Sequence, residues 1–195
     1  MVRMVKTQRD IAQRARRIHL VLTDNDGVLT DTGVYYSSFG EELKRYSVRD
    51  GMAVELLRQA GIETGIMTGE ESESVRRRAE KLRIRHVYLG VRDKRRQLDL
   101  LLAQTKISLT QIAYIGDDVN DLGILTAIGA FGLTAAPADA VSAVRHAVQF
   151  VCRTRGGQGA FREFADHILT LREPRSDDRR RSVTPGAIVT YGKDT

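Results

Sequence analysis

The sequence predicts an α/β fold, a doubly wound parallel sheet in the strand order 3-2-1-4-5, and three observations lead to it. Short apolar, β-prone runs alternate with longer segments of helical periodicity, the pattern of parallel strands joined by crossover helices. Four of those runs end on polar groups with chemical potential: Asp24 and Asp26, then Thr68, then Lys94 after a short loop, then Asp117 and Asp118. In an open parallel sheet the strand ends share one edge, so these groups can converge there. The third observation is length, since 195 residues suit one such domain with room for a hairpin-sized insertion and no second full domain.

Residues 1–17 have helical composition and read as a lead-in helix, with Val5, Ile11, Ala12 and Ala15 among the charges. The first strand spans 18–24 and ends in two carboxylates one residue apart, followed by Gly27. Alternation along a strand can point Asp24 and Asp26 the same way. Such crowding suits a cation or a reaction; the plainer alternative is a turn in which both acids cap backbone amides. Residues 33–48 hold two β-prone runs around Gly40 and read as a hairpin inserted before the first helix. Tyr35, Tyr36, Tyr46 and Phe39 exceed what so small a sheet edge buries, so a partner subunit, the substrate or the parent domain must take the rest.

Asp50 is placed to cap a helix carrying Met52, Leu56 and Leu57, which Gly61 stops. The strand 62–67 delivers Thr68. In the helix 71–82 the stripe Val75, Ala79 and Leu82 faces inward, which leaves Arg78 and Lys81 on an exposed side. A strand at 87–89 precedes Asp93 and Lys94, which open a helix with Leu98, Leu101 and Leu102 inward. The strand 112–115 leads to Asp117, and a helix at 120–128 follows. Residues 130–133 read as a fifth strand, and 137–147 as an outer helix with Pro137 in its first turn. A short β-prone piece at 148–152, a flexible glycine loop at 155–159 and a helix at 160–171 complete the domain. Beyond Arg172 periodicity vanishes, and 172–195 is expected to be a mobile basic tail outside the 18–171 domain.

The net charge is +6, with much of the excess in residues 1–17 and 172–181. No helix-turn-helix, zinc spacing or aromatic RNA-binding signature accompanies it, so nucleic acid is not an expected partner. Steering of anionic substrates is the better use of such a balance. The apolar runs are too short to cross a bilayer, and the N-terminus lacks the pattern of a secretory signal. Cys152 is the single cysteine, which fits a reducing cytoplasm and a packing role.

The converging set suits phosphoryl transfer, which needs a nucleophile, alignment and charge stabilisation. Asp24 is the candidate nucleophile, forming an aspartyl-phosphate, and Asp26 the candidate acid and base for the leaving oxygen and the hydrolytic water. Thr68 and the Gly69 amide are placed to hold phosphate oxygens, and Lys94 to neutralise developing charge. Carboxylate oxygens without histidine or cysteine favour Mg²⁺, held by Asp24, the Asp26 carbonyl and Asp117 with Asp118 in support. Asp121 can orient Lys94 or the metal's waters, or be an ordinary exposed helix acid.

The segments Asp24-Asn25-Asp26-Gly27-Val28-Leu29-Thr30-Asp31, Asp50-Gly51, Thr68-Gly69, Asp93-Lys94 and Gly116-Asp117-Asp118-Val119-Asn120-Asp121 resemble the haloacid dehalogenase-like phosphatases. The similarity spans about residues 18–169 and points to the branch without a cap domain. Within it the motifs, with Arg155-Gly156-Gly157-Gln158-Gly159 and Arg162-Glu163, look like the phosphatases of 3-deoxy-octulosonate 8-phosphate (KDO 8-phosphate) and of nine-carbon 9-phosphates. The resemblance implies a homotetramer whose hairpins assemble centrally and whose subunits serve as each other's lid. It also implies that Gly156, Gly157, Gly159 and Arg162 form a gate at the site. Glu70, Arg78 and Lys81 resemble the nine-carbon pattern, which favours 2-keto-3-deoxy-nononate 9-phosphate over KDO 8-phosphate. Asn25 departs from the family, where that position is usually apolar, and must find hydrogen-bond partners. Two rivals are a signalling receiver domain, whose motif order differs, and a catalytically silent protein of the same fold, which would normally have lost a charged group.

Overall fold

The computed structural model describes residues 7–173; the first six residues and all but the first two of the tail expected at 172–195 lie outside it, and Arg172 belongs to the last helix rather than to that tail. Helix α1 (Gln8–Ala15) starts at Thr7, whose hydroxyl and amide pair reciprocally with Asp10. Strand β1 (Leu20–Thr23) is followed by the hairpin β2 (Val34–Ser37) and β3 (Gly40–Lys44). Then come α2 (Val48–Gln59), β4 (Glu63–Met67), α3 (Glu73–Leu82), β5 (His86–Tyr88) and α4 (Lys94–Thr105). Strand β6 (Ile112–Ile115), a 3-10 turn (Val119–Asp121), α5 (Leu122–Phe131) and β7 (Leu133–Ala136) follow. Helix α6 (Ser142–Ala147), β8 (Phe150–Val151) and α7 (Ala160–Arg172) end the described chain.

Among the described residues, six strands form one parallel sheet in the order β5-β4-β1-β6-β7-β8. This is the predicted 3-2-1-4-5 arrangement with the β-prone piece near Cys152 added at its edge. β1 lies at the centre because both its faces are covered, and all four of its residues are buried. Val21 looks toward a core with Ile66, Leu57, Phe161 and Phe164, whereas Leu20 and Leu22 look toward Leu98, Leu101, Tyr114 and Ile128. Thr23 stands level with Ile66 on one side and Ile115 on the other. The segments after these three strands therefore emerge side by side.

The lead-in is tied to the domain by its own basic residues. Arg14 donates to the carbonyls of Gly129, Ala130 and Gly132 at the end of α5, a good use of a cation at a helix C-terminus. Arg172 donates to the carbonyls of Ala15 and Ile18.

Three element boundaries differ from the sequence reading. Helix α5 runs on to Phe131 and closes through the Gly132 amide on Ile128, so the fifth core strand begins at Leu133 rather than 130. Pro137 sits in a turn that bonds to Ala140, and only Ser142–Ala147 is helical in the outer segment. Asp50 does not cap α2; Ser47 does, accepting from the Arg49 amide. Asp50 is instead buried in the first turn, where it accepts from the Arg162 amide. Burial holds its carboxyl up at about 6.

Candidate active site

Asp24 continues the β1 ladder, its amide donating to the Ile115 carbonyl at 3.0 Å. One carboxylate oxygen accepts from the Asn25 amide at 2.7 Å, and the other from Lys94 Nζ at 2.7 Å. The chain then turns sharply, with the amides of Val28, Leu29 and Thr30 converging on the Asn25 carbonyl. Gly27 makes the turn possible: its φ is +81°, and a Cβ there would sit 1.9 Å from Asp117 Oδ2.

Lys94 opens α4 although a cation at a helix N-terminus is unfavourable. Two carboxylates offset that cost, because Nζ lies 2.7 Å from Asp24 Oδ2 and 2.7 Å from Asp121 Oδ1. Burial pulls the ammonium down, and Asp24 and Asp121 more than reverse it, leaving Lys94 above its ordinary range. Asp121 is fully buried and accepts from the Tyr114 hydroxyl at 2.6 Å and from the Asp117 amide at 2.9 Å. It is therefore an organiser of the site and not an exposed helix acid.

Asp24, Asp117 and Asp121 each offer an oxygen within 4.8 Å of the others. One ammonium cannot balance three carboxylates, two buried and one half-buried. Burial and the nearby acids push Asp24 up to about 7 and Asp117 up to about 8. Asp117 Oδ1 is buried without a hydrogen-bond partner. An all-oxygen donor set with an orphaned acceptor and unbalanced negative charge fits Mg²⁺.

Beside this cluster lies a cavity of about 290 Å³ whose lining includes Asp24, Asp26, Thr68, Gly69, Glu70, Asp117 and Asp118. Thr68 is held by amide and carbonyl bonds to Tyr88 and Val91, and its hydroxyl accepts from the Glu70 amide at 3.2 Å.

Several expected residues take other places. Asp118 is exposed and accepts from the Val119 amide at 2.6 Å, standing outside the three-acid cluster that Asp121 completes. Arg78 is not on an outer face; it donates to the Ser47 carbonyl at 2.9 Å and stacks over Tyr46. Lys81 borders a different hollow, beside Glu55 and Arg58. Of the three specificity candidates only Glu70 lines the cavity.

The glycine loop is packed rather than gate-like. A Cβ on Gly156 would lie 2.0 Å from the Gly27 carbonyl oxygen, and one on Gly157 would lie 2.5 Å from the Asp31 amide. The Gly157 amide donates to the Val28 carbonyl at 2.9 Å, so the loop buttresses the turn behind Asp24. Gly159 is buried just ahead of α7, and Arg162 pairs with Asp166 along that helix, away from the cavity.

Asn25 finds partners, accepting from the Tyr46 hydroxyl at 3.2 Å and donating to Asp26 Oδ1 at 3.2 Å. Asp26 makes no bond to Lys94 among the described bonds. It is gripped by Lys44 of β3, a residue that composition alone presents as one more hairpin charge. Lys44 is the last residue of β3, and nothing in the sequence separates it from a solvated hairpin charge.

No protein-family model matches the sequence. The chain is 41% identical over 157 residues to the 3-deoxy-D-manno-octulosonate 8-phosphate phosphatase of Haemophilus influenzae, covering 80% of this chain and 86% of that one. The Yersinia pestis enzyme of the same name is 38% identical over 164 residues, 84% of this chain and 86% of its own length. The chain belongs to the KDO 8-phosphate phosphatase family. Among solved structures, the Moraxella catarrhalis enzyme in complex with magnesium, phosphate and KDO superposes with a TM-score of 0.79 at 34% identity, covering 90% of this chain and 98% of that one. The cobalt-bound Haemophilus influenzae enzyme gives 0.78 at 40% identity, over 82% and 92% of the two chains. Membership of this family makes the chain a phosphoric monoester hydrolase of haloacid dehalogenase type with Mg²⁺ as cofactor.

Proposed function

We propose that this phosphatase releases inorganic phosphate from KDO 8-phosphate. The observation that carries the reading is the match to curated relatives of that name over more than four-fifths of their length, supported by a cavity that Asp24, Asp26, Thr68 and Asp117 line. Bound Mg²⁺, held by Asp24, the Asp26 carbonyl and Asp117, would supply positive charge to the phosphoryl oxygens. Asp24 attacks phosphorus; the ester P–O bond breaks, and the sugar oxygen takes a proton from Asp26. Water then attacks the aspartyl-phosphate, Asp26 takes the water's proton, and the Asp24–phosphorus bond breaks. Thr68 and the Gly69 amide orient the phosphoryl oxygens while Lys94, fixed by Asp121, holds the nucleophile in line.

The nine-carbon 9-phosphate is the second reading, and Glu70 at the cavity rim is what favours it. Its support is narrower than the sequence suggested, because in the same chain Arg78 is bonded to Ser47 and Lys81 borders a different hollow. Side-by-side kcat/KM measurements decide between them. A preference for KDO 8-phosphate is expected, and Glu70→Arg is expected to change the ratio. A clear preference for the nine-carbon substrate would overturn the assignment.

A further inference from the structure

Lys44 lies on a hairpin that is otherwise largely exposed, yet its own side chain is 1% exposed. Its ammonium donates to both carboxylate oxygens of Asp26, at 2.7 and 2.8 Å, and lies 3.3 Å from Glu41 Oε2. Glu41 in turn accepts from the hydroxyl of Ser72, which precedes α3 just after the Thr68 loop. A continuous polar chain thus runs from the phosphate-holding loop through the hairpin to Asp26. The Asp26 side chain keeps 26% exposure and lines the cavity, whereas Lys44 does not reach it. The carboxylate therefore stands between the ammonium and the place where substrate binds.

A buried lysine is costly unless fully paired, and a lysine presents three donors, which Asp26 and Glu41 take up here. The remaining contacts to Asp26 are weaker anchors: Thr30 Oγ1 and Asn25 Nδ2, each at 3.2 Å and both on Oδ1. Only Lys44 reaches Oδ2 among the described bonds. Without it Oδ2 would lose its one described donor, and the carboxylate would face Glu41 with no cation between them.

We propose that Lys44 is a positioning residue that fixes the Asp26 carboxyl group toward the leaving oxygen. The inference rests on the reading of Asp26 as the group that protonates the departing alkoxide. Lys44 keeps its own protons throughout; the proton that reaches the alkoxide comes from Asp26 as the P–O bond breaks. The role should therefore matter for a poor leaving group, such as a sugar alkoxide, and much less for an aryloxide that departs without protonation.

The test compares kcat and KM for KDO 8-phosphate and for p-nitrophenyl phosphate in Mg²⁺-loaded full-length protein. Lys44→Met is expected to lower kcat on the sugar phosphate by about 10–100-fold, leave KM within about threefold, and change aryl phosphate turnover by less than about threefold. Asp26→Asn should show the same selectivity more strongly, and Lys44→Met added to Asp26→Asn should cost little more, because the two act through one group. Should Lys44→Met fail to fold, Lys44→Arg, which keeps the charge and changes its geometry, is expected to show a smaller loss with the same leaving-group dependence. Equal losses on both substrates, or additive losses in the double variant, would overturn the positioning role while leaving Asp26 as the acid. An Asp26→Asn variant without leaving-group selectivity would instead remove the reading on which the inference stands, and the inference with it.

Discussion

Asp24 and Asp117 are carboxyl groups in a place that resists their charge, held up at about 7 and about 8 against an ordinary carboxylate value of 3.8. A raised carboxyl pKa means the folded, metal-free protein binds protons that the unfolded chain has already released. That contribution to stability is present at low pH and is lost as pH rises through the folded values. Mg²⁺ replaces those protons, so its binding strengthens over the same window. The rise in Tm on adding Mg²⁺ is expected to grow from about pH 6 to about pH 8.5; a rise that is flat across that range would contradict the acid assignment. At this scale the sequence is most legible where a strand runs out. Asp24, Thr68 and Asp117 follow apolar runs, and their convergence is a matter of topology. Lys44 and Asp121 were harder, because their importance lies in burial. A lysine on a hairpin and an acid on a helix look the same in sequence whether solvent or a carboxylate surrounds them.

Two elements carry the site from behind, the hairpin β2–β3 and the glycine loop before α7. Glycines announce either a mobile backbone or a very close approach, and sequence does not separate the two. In this chain the approach decides it, since a single added Cβ at Gly156 would press within 2.0 Å of a backbone oxygen in the nucleophile's turn. Backbone cannot yield as a side chain does. Gly156→Ala is expected to destabilise by at least about 2 kcal/mol and to lower kcat through the displaced turn, read by denaturant unfolding and phosphate release. Unchanged stability would restore the picture of a loose gate. The other boundary differences have a similar origin. The run from Leu122 to Ala136 is apolar on either a helical or an extended reading, so only the turn at Gly132 reveals where α5 stops.

For the whole molecule, the parallel sheet and its order followed from alternation and from the polar groups at the strand ends, because right-handed crossovers leave few alternatives. Assembly is the property that one chain displays only indirectly. Tyr36 is 70% exposed and Phe39 95%, with Tyr35 and Leu43 beside them on the same hairpin. Such a patch is costly to leave in water. We propose that it is covered in a homotetramer, as the resemblance implies. Sedimentation at micromolar concentration is expected to give about four times the 21.8 kDa chain mass; a fully active monomer would contradict it. Two of the basic residues at the ends of the domain have internal uses, Arg14 on the α5 carbonyls and Arg172 on the carbonyls of Ala15 and Ile18. Among the described residues no helix is long and apolar enough to cross a membrane.

The central claim is that Asp24 forms a covalent bond to phosphorus, and steady-state phosphate release from KDO 8-phosphate by purified, Mg²⁺-supplied Asp24→Asn tests it most directly. Asparagine keeps the size of the side chain and an acceptor for the Asn25 amide, so the fold should survive, as circular dichroism would verify. Turnover is expected to fall to background, a loss of at least about 10⁴-fold on the scale of removing a covalent nucleophile. Release near the parent rate from that folded variant would contradict the covalent mechanism.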